Sequence, residues 1–312
     1  MSLIKKPSEL TTPTTLKALL YGQPGIGKTT LALSAPDPLL LDFDGGVHRV
    51  KAQHQTPTVQ IKSWEDVQQV LQEDLSDFKT LVIDTAGKML DFMSVYLIKT
   101  NPKNGTAGGQ LAIGGYGARK AMFVQFLSQV SMLGLNLIFV AHDAEEKDGE
   151  QKIIRPLIGG SSGGDLIREL DLVGYMEAKG KQRTISFDAC ERFYGKNTCD
   201  LEPLINIPDA TNDPNNLMSL IVKRYAVAAH ERKKQNDEFN NLMQTIKDNI
   251  DSFVTDAGTA NDMIPWITDE VEHIWNSKML ASRYLSDKAK SLGCTLNAKT
   301  KLFENKKIAE NA

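Results

Sequence analysis

Residues Gly22-Gln23-Pro24-Gly25-Ile26-Gly27-Lys28-Thr29 meet the GxxxxGK[ST] pattern at every required position. The pattern has a mechanism. Its glycines let successive backbone N–H groups curl around phosphate oxygens, and the helix that follows adds positive potential. On this reading Gly22 to Thr29, with Thr30, cradle a nucleotide, the Lys28 ammonium neutralises its β- and γ-phosphates, and the Thr29 hydroxyl holds Mg²⁺. An acidic partner is expected at the end of a neighbouring strand, and Leu81-Val82-Ile83-Asp84 supplies one. A carboxylate after three buried aliphatic residues is costly to bury alone, so a cation beside Asp84 accounts for it, with the metal held through water. A water-polarising carboxylate is expected in Leu40-Leu41-Asp42-Phe43-Asp44-Gly45-Gly46. Period-two alternation places Asp42 and Asp44 on one face, and ligands of open parallel sheets sit beyond the carboxyl ends of the strands. Asp44 is therefore favoured for the water, against the alternative that one of the two aspartates only caps the turn at Gly45.

These residues need a rigid frame. The apolar run 16–22, stopped by glycine, predicts a buried strand, and a helix is expected over 28–34. Further strands are expected over 38–43, 81–84 and 135–141, and near 171–177 and 183–187. Helices are expected over 63–71, opened by Ser63 with Asp66 as its capping-box partner, and over 88–99 and 118–133. Between them the sequence suggests a glycine-rich loop over 101–117, a polar loop over 142–152, and a further loop at Ser161-Ser162-Gly163-Gly164. Strands alternating with helices make the fold class α/β with a mainly parallel central sheet. Apolar residues recur at helical spacing from Phe239 to Phe253, and Trp266, Ile267, Ile274 and Trp275 follow, so a small helical appendage is expected. The expected division is a tail over 1–15, an ATPase core over 16–230, and a helical, basic region over 231–312.

Composition narrows the class of protein. With 41% hydrophobic and 24% charged residues the chain reads as globular, and no stretch approaches the ~20 apolar residues of a membrane span. The N-terminal residues lack the apolar segment of a secretory signal, so the cytoplasm is the expected location. Cys190, Cys199 and Cys294 are widely spaced without metal-ligand companions and read as reduced structural thiols. A net charge of −3 denies the chain a global basic footprint, so nucleic-acid contact would have to come from local patches. The segment 277–312 is one such patch: eight basic side chains against three acidic ones give it a net charge of +5.

The phosphate loop, the segment Leu41 to Gly46, Leu81 to Thr85, and Leu137-Ile138-Phe139-Val140-Ala141-His142 together resemble phage-encoded, RecA-like ATP-binding proteins, some of which act in single-strand annealing or recombination. The resemblance covers roughly residues 16–200. It implies a RecA-like P-loop ATPase using ATP and Mg²⁺, with Thr29 and Asp84 at the metal. Asp44 stands where RecA-like proteins carry a catalytic glutamate, and His142 where they carry a γ-phosphate-sensing glutamine. ATP over GTP is also part of what the resemblance implies, and the chain has no NKxD-type guanine-reading motif. The segments 101–117 and 143–164 fall at the two DNA-facing loops and bring Lys103, Lys147, Lys152 and Arg155, with Arg119 and Lys120 just beyond the first. Tyr116 is a candidate for stacking on a base. Arg192 and Lys196 are the candidates for a basic residue acting across a subunit interface. The implied partners are ATP, single-stranded DNA, further copies of the chain, and a single-strand-binding protein or other acidic partner, without a membrane. Two other functions fit the same core: a replication helicase or loader, and a nucleotide-gated interaction protein that does not touch DNA.

Overall fold

The computed structural model describes residues 13–148, 151–159, 162–209 and 215–305. The described residues divide into two compact units, one over 13–229 and one over 230–305.

The first unit is built on a nine-stranded sheet. Chain order runs β1 (Lys17–Gly22), α1 (Lys28–Ala32), β2 (Pro38–Asp42), β3 (Thr58–Gln60), α2 (Trp64–Val70), β4 (Thr80–Asp84), α3 (Ala86–Thr100), α4 (Ile113–Met132), β5 (Asn136–Asp148), β6 (Gln151–Pro156), α5 (Ser162–Glu169), β7 (Leu172–Lys179), β8 (Gln182–Ser186) and β9 (Ile205–Ile207). Across the sheet the order is β3-β2-β4-β5-β1-β7-β8-β9, with β6 paired to β5. Strands β3 to β7 along that row are parallel, and β8, β9 and β6 are antiparallel additions.

Both faces of the sheet are buried, which is why its central strands read as continuous aliphatic runs. Leu19, Leu41, Ile83 and Phe139 face a core closed by α2, α3 and α4 through Trp64, Met89 and Phe126. Leu20, Leu40, Val82 and Val140 face the other core, closed by α1 and by the start of α6 (Leu217–Phe253). This division follows from handedness. The chain moves one way across the sheet from β1 to β2 and β3 and the other way from β3 to β4 and β5, and right-handed crossovers then put their helices on opposite faces. A crevice opens at the carboxyl ends where the direction reverses. Helix α2 starts as expected, with the Ser63 and Asp66 capping box formed.

Three segments expected as loops are wholly or partly regular. Strand β5 continues to Asp148 and turns back as β6, so the expected loop over 142–152 is an antiparallel hairpin. Diagonal ion pairs hold it: Lys152 to Glu145 at 3.0 Å and Arg155 to Glu146 at 2.5 Å. Helix α4 begins at Ile113, inside the expected loop over 101–117. Gly115 there serves packing: a Cβ on it would lie 2.6 Å from the Asn104 carbonyl oxygen. Helix α5 takes up Ser162 to Gly164, while Ser161 lies outside the described residues.

The second unit contains the later part of α6, then α7 (Ala257–Pro265), a π-helical turn (Trp266–Glu270), α8 (Ser277–Ser291), and a hairpin of β10 (Cys294–Leu296) and β11 (Phe303–Asn305). Its core joins Ile246, Ile250, Ala260, Ile267, Leu285 and Phe303. Residues 277–305 of the basic segment thus contribute side chains to this core. Lys288 pairs with Asp251 at 3.1 Å, and Lys278 donates to the Thr268 carbonyl at 2.5 Å. Lys306, Lys307 and Glu310 lie outside the described residues. Among the described residues no helix is long and apolar enough to cross a membrane.

Candidate nucleotide-binding site

Strand parity decides which residues reach the crevice. On the α1 side of the sheet, Leu40 is followed two residues later by Asp42, Val82 by Asp84, and Val140 by His142. Each polar residue therefore stands at the point where an apolar row runs out of core. Register places Asp42 beside Asp84, and Gly22 beside His142. The chain from Gly22 to Thr29 crosses the same end, and the cleft there has a volume of about 750 Å³.

Lys28 is 5% exposed and turned back on its own loop, donating to the carbonyls of Gly22 and Gln23, both at 2.7 Å. Burial lowers its pKa, and the carboxylates of Asp143 and Asp84 oppose that shift. Its ammonium is therefore short of counter-charge, a condition that phosphate oxygens would correct. The Thr29 hydroxyl donates to the Asp84 carboxylate at 2.7 Å, across 55 residues of sequence. Burial raises the Asp84 pKa, and the Asp42 and Asp44 carboxylates raise it further, while the Thr29 hydrogen bond and Lys28 act against them. Two adjoining hard oxygen donors, one anionic, suit Mg²⁺, which takes few protein ligands and fills its octahedron with water and phosphate oxygens.

The two aspartates after β2 have separate roles in the turn. Asp42 is 2% exposed and accepts from the backbone N–H groups of Asp44 at 3.2 Å, Gly46 at 3.1 Å and Val47 at 3.1 Å. It caps the turn, and that turn presents Asp44, which is exposed and lines the cleft. His142 also lines it, and its Nδ1 is buried with no hydrogen-bond partner among the described residues. Pro24, Gly25, Gly27, Thr29 and Thr30 line the cleft as well, whereas Ile26 packs into the core on the α1 side.

Several cations named from the sequence are engaged elsewhere. Arg119 is 5% exposed, donating to the Ser94 hydroxyl at 3.1 Å and the Gly159 carbonyl at 3.2 Å, with its guanidinium over the Tyr116 ring. It ties α3, α4 and the segment after β6 together. Tyr116 is on the first turns of α4, half-exposed beneath that guanidinium. Arg192 pairs with Glu177 at 2.6 Å, and Lys196 donates to the carbonyls of Leu170 and Arg168. Lys103 is exposed on a short 3-10 turn, Pro102–Asn104. Other cleft residues were not evident as site residues from the sequence: Arg49 and Lys51 after the Asp44 turn, and Lys181 and Arg183 from the β7–β8 hairpin. They belong to no local motif and reach the loop only through the sheet order.

A glycine-rich phosphate loop between a buried strand and a helix, facing a threonine–aspartate pair at the carboxyl edge of a parallel sheet, defines a P-loop NTPase domain. The chain belongs to the AAA domain family, whose profile matches residues 14–199. It is also similar to the SPbeta prophage-derived uncharacterized protein YorG of Bacillus subtilis (strain 168), with 22% identity over 260 residues that cover 73% of this chain and 77% of that protein.

Proposed function

We propose that the chain binds and hydrolyses ATP with Mg²⁺, as a RecA-like ATPase of phage DNA recombination or single-strand annealing that acts on single-stranded DNA. The observation that carries the hydrolytic part is the 2.7 Å contact between Thr29 and Asp84 in the cleft that Lys28 and Asp44 also line. On this reading the backbone of Gly22 to Thr30 binds the phosphates and Lys28 leaves its two carbonyls to neutralise them. Thr29 and Asp84 hold the metal, which when bound offsets charge on the phosphate oxygens. Asp44 orients the attacking water and accepts its proton, and His142 donates a ring N–H to the γ-phosphate. The DNA part is supported by the resemblance to RecA-like phage proteins and by the prophage origin in the relative's name.

ATPase activity with and without Mg²⁺ and single-stranded DNA tests this reading. Metal-dependent hydrolysis that DNA stimulates, and that Lys28→Ala abolishes while the fold persists, is the expected result. Normal turnover by Lys28→Ala would exclude the phosphate loop as the site. The ion pairs of Lys152 and Arg155 within the β5–β6 hairpin favour a second reading, a nucleotide-gated interaction protein without DNA contact. Hydrolysis indifferent to DNA would support it.

A further inference from the structure

The β7–β8 hairpin brings a second cation to the phosphate loop. Gly180 and Lys181 form its two-residue turn, since Lys179 pairs with Gln182, and Gly180 has φ 62, as the first central residue of a type II′ turn requires. A tight turn fixes the register of the strand that leaves it. Along β8, Ile185 and then Phe187 point into the core on the α1 side, so Arg183 occupies the preceding place in the same row. An aliphatic residue would be expected there if the core continued. Instead the row runs out at the cleft, and the Arg183 guanidinium nitrogen Nη1 lies 3.5 Å from where a Cβ on Gly27 would be. Beside it in the sheet stands Ala178, too small to block the approach. Among the described residues Arg183 enters no ion pair. Its fork of N–H donors is matched to oxyanions, which a lysine at the same place would contact only as a point charge.

We propose that Arg183 binds the phosphate chain of the nucleotide from within the same chain, at the side of the loop marked by Gly27, as a cation additional to Lys28. This rests on the nucleotide-binding reading above and extends it. The ligand class is a nucleoside di- or triphosphate, and the contact is to phosphate oxygens rather than to the base.

The test uses the full-length protein and titrates fluorescently labelled ADP and ATP in Mg²⁺ against the parent, Arg183→Ala, Arg183→Lys, Lys181→Ala and Lys28→Ala chains. Arg183→Ala should weaken both nucleotides about tenfold, the scale of one charge-assisted hydrogen bond, and Arg183→Lys should recover part of the loss. Inorganic pyrophosphate competing with labelled ADP should lose potency by the same factor. Affinities unchanged in Arg183→Ala but lost in Lys28→Ala would overturn the inference and leave the proposed function standing. Unchanged pyrophosphate competition with weakened ADP would place Arg183 on the nucleoside and also overturn it. A Lys181→Ala loss equal to that of Arg183→Ala would show a diffuse charge effect, again overturning it. No nucleotide binding by the parent chain would instead sink the reading on which the inference rests.

Discussion

At the scale of residues, the cleft holds one of its carboxylates, Asp84, at a cost in stability. Asp84 sits among Asp42 and Asp44 in partly desolvated surroundings, and its pKa is raised. The fold therefore favours its protonated form: that contribution is fully present below the ordinary carboxylate pKa and is lost as pH rises through the raised one. Asp84→Asn keeps a hydrogen-bond acceptor for Thr29 but removes the charge. Without nucleotide or metal, the variant should melt above the parent near neutral pH, and the difference should close in acid; thermal melts across pH measure this. It should also lose the Mg²⁺ dependence of nucleotide binding. Equal melting temperatures at every pH would mean that Asp84 is not strained in the fold. The neighbouring aspartates should separate in the opposite sense. Asp42→Asn leaves one of three part-buried backbone N–H groups facing an amide NH₂, which costs about 1–3 kcal/mol of stability. Asp44→Asn should leave denaturant unfolding unchanged and slow hydrolysis by on the order of 10²-fold or more, as for loss of a general base. If Asp44→Asn hydrolyses ATP at the parental rate, another group handles the water.

At the scale of elements, the parts of the fold legible in the sequence were those with a one-dimensional signal. The strands around Leu19, Leu41, Ile83 and Phe139 read as aliphatic runs, and Ser63 with Asp66 marked a helix start. The β5–β6 hairpin was hidden because its polar residues are satisfied across strands, through pairs such as Glu145 with Lys152 that sequence order does not display. The start of α4 was hidden for a different reason. Gly114, Gly115 and Gly117 count against a helix by propensity, yet tertiary packing overrides that count where Gly115 meets the Asn104 carbonyl. In the cleft, the residues on strand ends and in the phosphate loop could be named from spacing, whereas Arg183 is placed by the non-sequential order β1-β7-β8. The α4 explanation makes a sharp prediction. Gly115→Ala gains helix propensity but puts a methyl group against backbone, so it should destabilise the protein by about 1–3 kcal/mol in denaturant unfolding. A stabilised variant would mean that the glycine serves no close approach.

At the scale of the whole molecule, the two compact units set how the basic C-terminal segment can be tested. Removing everything after Asn276 looks like removal of a tail, but Ala281, Leu285, Ala289, Cys294 and Phe303 are buried in the core of the unit over residues 230–305. Full burial of a single large aliphatic or aromatic side chain contributes about 1.5–3 kcal/mol, against a total of roughly 5–15 kcal/mol for a typical domain. Loss of Leu285 and Phe303 alone is thus comparable to a large part of that unit's stability. A chain ending at Asn276 should expose apolar surface, bind a hydrophobic dye and aggregate, and any loss of DNA or partner binding would then report unfolding rather than charge. A chain ending at Ala229 cuts at the division between the units and keeps Leu217 to Ala228 over the sheet. Its phosphate loop, Asp44, Asp84 and Arg183 all remain. It should stay monodisperse and gain thermal stability from Mg-ATP as the full chain does, by about 2.7 kcal/mol at a ligand concentration of 100 Kd. Loss of that gain in the shorter chain would show that the nucleotide site depends on residues beyond Ala229. To isolate the charge itself, Arg283, Lys299 and Lys301, exposed in the second unit, can be changed to Gln in the full chain. If the segment meets DNA or an acidic partner, the slope of log affinity against log salt should flatten by roughly 0.7 per lost contact with a single strand while the melting temperature holds. An unaltered slope would leave these three side chains as solvated surface.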